Sequence, residues 1–123
     1  MSHATPRVGR PVRGSSTGRP IMVLLDQFGR RWTLRILWEL RGGPLTFREL
    51  QDACDDASPS VLNTRLRELR ALALIVHEAG SGYALSPHGQ SLLAQFAPLQ
   101  AWAERWAADS GPSRPKIPPE TQR

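Results

Sequence analysis

The side chains best suited to chemistry outside the protein lie between Ser58 and Leu72. Ser60, Asn63, Thr64 and Arg67 recur at three- and four-residue spacing and share one face of a helix. Short hydrogen-bonding groups beside a guanidinium are the side chains that reach base edges and phosphates in a DNA major groove. A merely solvated face would carry more Glu and Lys. Asn63 and Thr64 are assigned to base edges, Arg67 to a base or a phosphate, and Arg65 to a phosphate. Ser58 and Ser60, at the helix start, suit the DNA backbone. Arg48, upstream, is a further phosphate candidate, with a surface ion pair as its alternative.

No other chemistry competes. The chain has no phosphate-binding loop, nucleophile–base pair or dinucleotide fingerprint, so no enzyme activity and no cofactor is expected. His3, His77 and His88 lack metal-ligand spacing, and no metal site is expected. The single cysteine, Cys54, excludes an internal disulfide. Asp55 and Asp56 beside it disfavour a thiolate, which predicts an inert thiol rather than a sensor.

The elements around the stripe can be read from punctuation and period. Ser58 suits an N-cap and Pro59 the first helical position, where a missing N–H costs nothing. Val61, Leu62, Leu66, Leu69 and Leu72 then form the apolar stripe of a helix over 58–72. Upstream, Thr46 and Glu49 have capping-box spacing, with Leu45 and Leu50 as the staple, for a short helix ending near Ala53. Met22, Val23, Leu25 and Phe28 predict a first helix ending at Gly29. Trp32, Leu34, Ile36, Leu37, Trp38 and Leu40 predict a second helix over 31–41, apolar on more than one face and central to the core. After Leu72 the period changes: 74–78 and 83–85 read as strands joined by Ala79-Gly80-Ser81-Gly82. Ser86-Pro87 opens a last helix reaching about Asp109, with a kink or a brief break near Ala97 caused by Pro98.

These elements predict a mainly α fold with a small β-hairpin (α+β), a winged helix-turn-helix. The 123 residues suffice for one domain, placed at 21–110. Residues 1–20 hold Arg7, Arg10, Arg13 and Arg19 with no acid and predict a flexible basic arm; 111–123 predict a disordered Pro-rich tail. Between them nine arginines face ten acidic residues, so the net charge of +5 belongs to the ends. Any nucleic-acid binding by the domain must then rest on local placement rather than a general positive field. No segment reaches the length of a membrane span or a signal-peptide core, which predicts a cytoplasmic protein with no membrane partner.

The chain resembles the HxlR-type winged-helix transcriptional regulators of bacteria over about residues 20–109. The residues that carry the likeness are Gly29-Arg30-Arg31-Trp32-Thr33-Leu34-Arg35-Ile36-Leu37, Leu40, Gly43 and Phe47-Arg48-Glu49-Leu50. Leu62, Arg65-Leu66-Arg67-Glu68-Leu69, Tyr83-Ala84-Leu85-Ser86, Gly89, Pro98-Leu99 and Trp102 complete it. The resemblance implies sequence-specific binding of double-stranded DNA by a homodimer built from the first and last helices. It also implies a pseudo-palindromic operator, with repression or activation as the outcome. Leu25, Phe28, Leu99, Trp102 and Trp106 are assigned to the dimer interface. Phe28, Trp32, Trp38 and Phe96 are a candidate pocket for a small-molecule effector, with plain core as the alternative. Three features depart from the family. The cysteine that commonly precedes the first helix, a redox or electrophile sensor in some members, is Arg19 here. The wing carries His77 and Glu78 where members tend to have arginine. The glycine that normally ends the recognition helix is Ala73, at a cost of roughly 1 kcal/mol or more if φ is positive. The neutral domain and plain wing leave an alternative reading: a winged-helix protein- or ligand-binding module that has lost specific DNA binding.

Overall fold

The computed structural model describes residues 5–110. The stretch read as a Pro-rich tail, 111–123, lies outside the described residues, as do residues 1–4 and with them His3. Along the chain run α1 (Pro20–Phe28), α2 (Thr33–Glu39), a 3-10 turn (Leu40–Gly42), α3 (Phe47–Ala53) and α4 (Pro59–Ala71). The wing follows as β1 (Ile75–Glu78) and β2 (Gly82–Leu85), then α5 (Pro87–Ala94) and α6 (Phe96–Ser110). This is the expected winged helix-turn-helix. The chain divides into two compact units between Leu93 and Ala94. No helix among the described residues is long and apolar enough to cross a membrane.

The first unit is built on the apolar stripes of α2, α3 and α4. Ile36, Leu37, Leu40, Leu50, Leu62, Leu66 and Leu69 are buried together with Ile75 of the wing. The second helix is shorter and more one-sided than its composition predicts. Trp32 stands outside it as the N-cap with φ 77°, and Leu40 begins the tighter 3-10 turn. Leu34 and Trp38 are exposed, at 43% and 44%. Seven residues make only two turns, so one apolar face enters the core and the other is left in solvent. The capping box at α3 forms as expected: Thr46 Oγ1 accepts from the Glu49 amide, and the Thr46 amide donates to Glu49 Oε1.

The wing is an antiparallel hairpin with Val76 opposite Ala84 and His77 opposite Tyr83, whose rings stack 4.1 Å apart. Its free edge is closed by Leu45, which exchanges both backbone hydrogen bonds with Tyr83. That approach requires Gly82, because a Cβ there would lie 2.3 Å from the Leu45 carbonyl oxygen, and its φ of 94° also suits glycine. Gly89 serves similarly at the start of α5, passing over the Leu74 carbonyl. Ser86 locks the same corner: its hydroxyl donates to the Ala73 carbonyl at 2.6 Å and accepts from the Gly89 amide. Ala73 is held at φ 61°, the left-handed conformation for which a glycine would be suited.

Of the kink or brief break expected near Ala97, the structure has the break, at Gln95. Pro98 has no N–H to offer the Ala94 carbonyl, so the chain ends α5 there and restarts with the proline inside the first turn of α6. In α6 no residue is buried. Leu99, Trp102 and Trp106 form an exposed stripe along it, and the two indoles stack in parallel 5.9 Å apart.

The described part of the basic N-terminal stretch, residues 5–19, folds back on itself. Gly9 donates to the Gly18 carbonyl, and Val12 and Ser15 exchange backbone hydrogen bonds across the reversal. Arg13 ties it down through a 2.6 Å bond to Asp26 of α1.

Ala73→Gly is expected to stabilise the protein by about 1 kcal/mol, because the left-handed conformation disfavours a Cβ. Urea unfolding should show a higher midpoint with an unchanged slope.

Candidate nucleic-acid interface

Two helices and a tight turn position the polar stripe. Cys54 ends α3, and Asp55 and Asp56 both adopt left-handed φ values of 54° and 58°. Aspartate tolerates this conformation better than most residues. Gln51 Nε2 donates to the Ala57 carbonyl across the turn, and Asp55 lies 3.7 Å from Arg35. Ser58 caps α4 by accepting from the Val61 amide at 3.2 Å, which leaves its own O–H free to donate outward.

On α4 the structure brings Ser60, Asn63 and Arg67 together on one exposed face. Neither the Asn63 amide nor the Arg67 guanidinium makes a hydrogen bond or ion pair among the described residues. Thr64 is half-buried at the edge of the same face, and its hydroxyl donates to the Ser60 carbonyl at 2.9 Å. It therefore presents a methyl group and an acceptor rather than a donor. Arg48, exposed on α3, is also unpaired among the described residues. The arrangement supplies one amide with paired donor and acceptor, two free guanidiniums and two hydroxyls.

Arg65 does not join them. It lies roughly 150° around the helix from the stripe. Its Nε donates to the Arg31 carbonyl, one terminal nitrogen donates to Glu68, and its side chain is only 18% exposed. It belongs to a brace that the residue pattern did not announce. Glu68, with 4% of its side chain exposed, accepts from Arg65, from Arg30 at 2.6 Å and from Gln27 at 2.9 Å. Arg30 also pairs with Asp26, which in turn holds Arg13. A signal was available: Asp26 and Gln27 follow Val23 by three and four residues, the spacing of the buried face of α1. Polar residues at buried spacing require partners. Burial pushes the Asp26 carboxyl up, but hydrogen bonds from Arg13 and Arg30 outweigh it and hold the group below its ordinary 3.8.

Among the residues assigned to a dimer interface, Leu25, Leu99, Trp102 and Trp106 are exposed, whereas Phe28 packs against the core. Of those assigned to an effector pocket, Trp32 also packs on the core, Phe96 is half-buried, and Trp38 is capped by the Arg41 guanidinium 3.8 Å from its ring. Cys54 is wholly buried, and burial pushes its thiol up, with Arg35 opposing.

Comparisons with known proteins agree with this geometry. Residues 27–110 match the family model for the HxlR-like helix-turn-helix. The HTH-type transcriptional regulator YodB of Bacillus subtilis is 30% identical over 84 residues, which cover 63% of this chain and 75% of YodB. A second relative from the same organism, the uncharacterized HTH-type transcriptional regulator YvaP, is 26% identical over 88 residues, 67% of this chain and 82% of YvaP. Among solved structures, quinone-bound YodB is similar at a TM-score of 0.65 and 31% identity, covering 70% of this chain and 97% of that one.

Glu68→Ala is expected to cost about 2 kcal/mol, because it leaves the half-buried Arg30 and Arg65 and the buried Gln27 amide without their shared carboxylate. Chemical denaturation measures it. The depressed Asp26 carboxyl contributes stability that is present at pH values above its ordinary 3.8 and is lost as pH falls through its native value. Asp26→Asn should accordingly flatten the acid limb of the stability–pH curve while lowering stability at pH 7. A buried, raised thiol predicts that mild oxidant leaves DNA affinity unchanged. A thiol-reversible loss of binding would show that Cys54 is reached after all.

Proposed function

The chain belongs to the HxlR-like helix-turn-helix family and is a transcriptional regulator of that type, and from this premise we propose that it binds a pseudo-palindromic operator as a homodimer with α4 in the major groove. The observation that carries the reading is the exposed face of α4, where Asn63 and Arg67 have no partner among the described residues. The Asn63 amide suits an adenine edge and Arg67 a guanine edge or a phosphate. Thr64 offers its methyl group to a thymine. Ser58, Ser60 and Arg48 hold the backbone, and the arginines of the N-terminal stretch add a salt-dependent attraction. Arg65 we assign to the brace instead of to a phosphate.

Leu25 of α1 and the Leu99, Trp102 and Trp106 stripe of α6 support the dimer. Exposed aliphatic and indole groups at helical spacing are the composition of an interface core. Two copies of α4 would enter major grooves about 34 Å apart, one helical turn, or a multiple of that. The action takes place in the cytoplasm, as repression or activation. The quinone-bound state of YodB supports control by a small-molecule effector. Here, however, Arg19 stands where the family commonly carries its sensing cysteine, so any effector would act without a thiol at that position.

Selection from random DNA should return a two-fold site. Asn63→Ala should relax preference at one symmetric position of that site, at a cost of roughly 1–3 kcal/mol. Equal retention of every duplex by the unaltered protein, or of none, would remove the sequence-specific reading. Sedimentation at micromolar concentration should show a dimer that Trp106→Glu converts to monomer. A wild-type monomer would end the dimer proposal.

A further inference from the structure

A cleft of about 510 Å³ opens where residues 6–13 fold over α1 and α4. Its lining is mixed in chemistry. Pro6, Pro11 and Val12 contribute apolar surface, and Arg10, Arg13, Arg30 and Arg65 line the cleft together with Asp26 and Glu68. Four guanidiniums against two carboxylates leave an excess of two positive charges.

The internal ion pairs do not use up the donors. Arg13 binds Asp26 through Nε alone, and neither of its terminal nitrogens makes a hydrogen bond among the described residues. One of them lies directly over Gly29, 3.0 Å from where a Cβ would stand, so the absence of a side chain at 29 leaves room for the group. Arg10 uses one nitrogen, on the Thr5 carbonyl. Arg65 uses two, on Glu68 and the Arg31 carbonyl, and its third is unbonded among the described residues. Guanidinium groups with terminal donors free are matched to oxyanions, which take two parallel bonds from one fork.

We propose that this cleft binds a small doubly charged oxyanion with a short apolar body, and that it is the effector site of the regulator. The anion neutralises the excess charge, and its body lies against Pro6, Pro11 and Val12. The coupling to DNA follows from which groups the anion shares. It takes the free donors of Arg13 and Arg65, whose other nitrogens hold Asp26 and Glu68, and Arg65 and Glu68 belong to α4. The effector role rests on the reading of α4 as the DNA-binding helix; the binding itself does not.

Isothermal titration with phenyl phosphate, and separately with phthalate, at constant ionic strength tests the site on the full chain. Saturable one-to-one binding is expected, weakened about tenfold by Arg13→Gln and by Arg10→Gln but unchanged by Arg70→Gln, which alters an α4 arginine outside the cleft. Because Arg13 also ties residues 5–19 to Asp26, Arg10→Gln separates loss of a ligand donor from loss of the tie. The Arg10 side chain bonds only to Thr5 among the described residues, and a melt checks the fold of both variants. A preference for one probe identifies the headgroup as phosphate monoester or dicarboxylate. No heat beyond that of chloride at equal ionic strength, or an equal loss in Arg70→Gln, overturns the site. Gel shifts with the selected operator complete the test: phenyl phosphate or phthalate should change operator affinity in the parent and not in Arg13→Gln. A protein that binds a probe but no DNA overturns the regulator reading and leaves the site. One that binds both without mutual effect overturns the effector role.

Discussion

A carboxylate with almost no access to water must be surrounded by donors, and Glu68 is such a group. Its donors come from Gln27 on α1, from Arg30 in the loop after it, and from Arg65 one turn back on α4. Hydrophobic packing of Leu62, Leu66 and Leu69 holds α4 against the core but is non-directional. The hydrogen bonds to Glu68 are directional, and they fix the rotation of α4 about its own axis relative to α1. The face that carries Asn63 and Arg67 points outward because the face that carries Arg65 and Glu68 is engaged inward. A buried charge network of this kind is a weak source of net stability. Its contribution is to orientation.

The parts of this arrangement governed by local chemistry were legible in the residues. Ser58-Pro59 and Thr46 with Glu49 are start signals whose geometry is settled within four residues, and both helices begin where those signals place them. The hairpin, with its change of period and its glycines, was equally plain. Arg65 was not, because a guanidinium on a helix surface looks the same whether it faces a phosphate or a glutamate three residues on. That distinction depends on what packs beside it, and the partners lie more than thirty residues away in sequence. The break at Gln95 shows the same limit in milder form. Pro98 announces an interruption, but whether the helix bends or restarts depends on which carbonyl goes unpaired.

Charge in the first unit is concentrated. Four arginines gather on the inner flank of α4, two of them from the N-terminal stretch, while the outer face of that helix has Arg67 and, in its last turn, Arg70 beside uncharged polar groups. The wing brings no arginine or lysine. On the proposed reading, recognition would be concentrated on a few side chains, and general attraction would be set by residues outside the helix-turn-helix. Affinity and selectivity would then reside in different parts of the chain and vary independently.

The contact between Gly82 and Leu45 bears on how such a protein meets its target. Because the hairpin shares backbone hydrogen bonds with the residue just before the Thr46 cap, the wing and the helix-turn-helix are mechanically one piece. A groove that displaces the hairpin also displaces the start of α3. Small differences in groove width along the target would thus be resisted by the protein rather than absorbed by it, and the cost of misfit would fall on the DNA. If α4 reads bases with so few side chains as proposed, a second source of discrimination would follow: the stiffness of the site it binds.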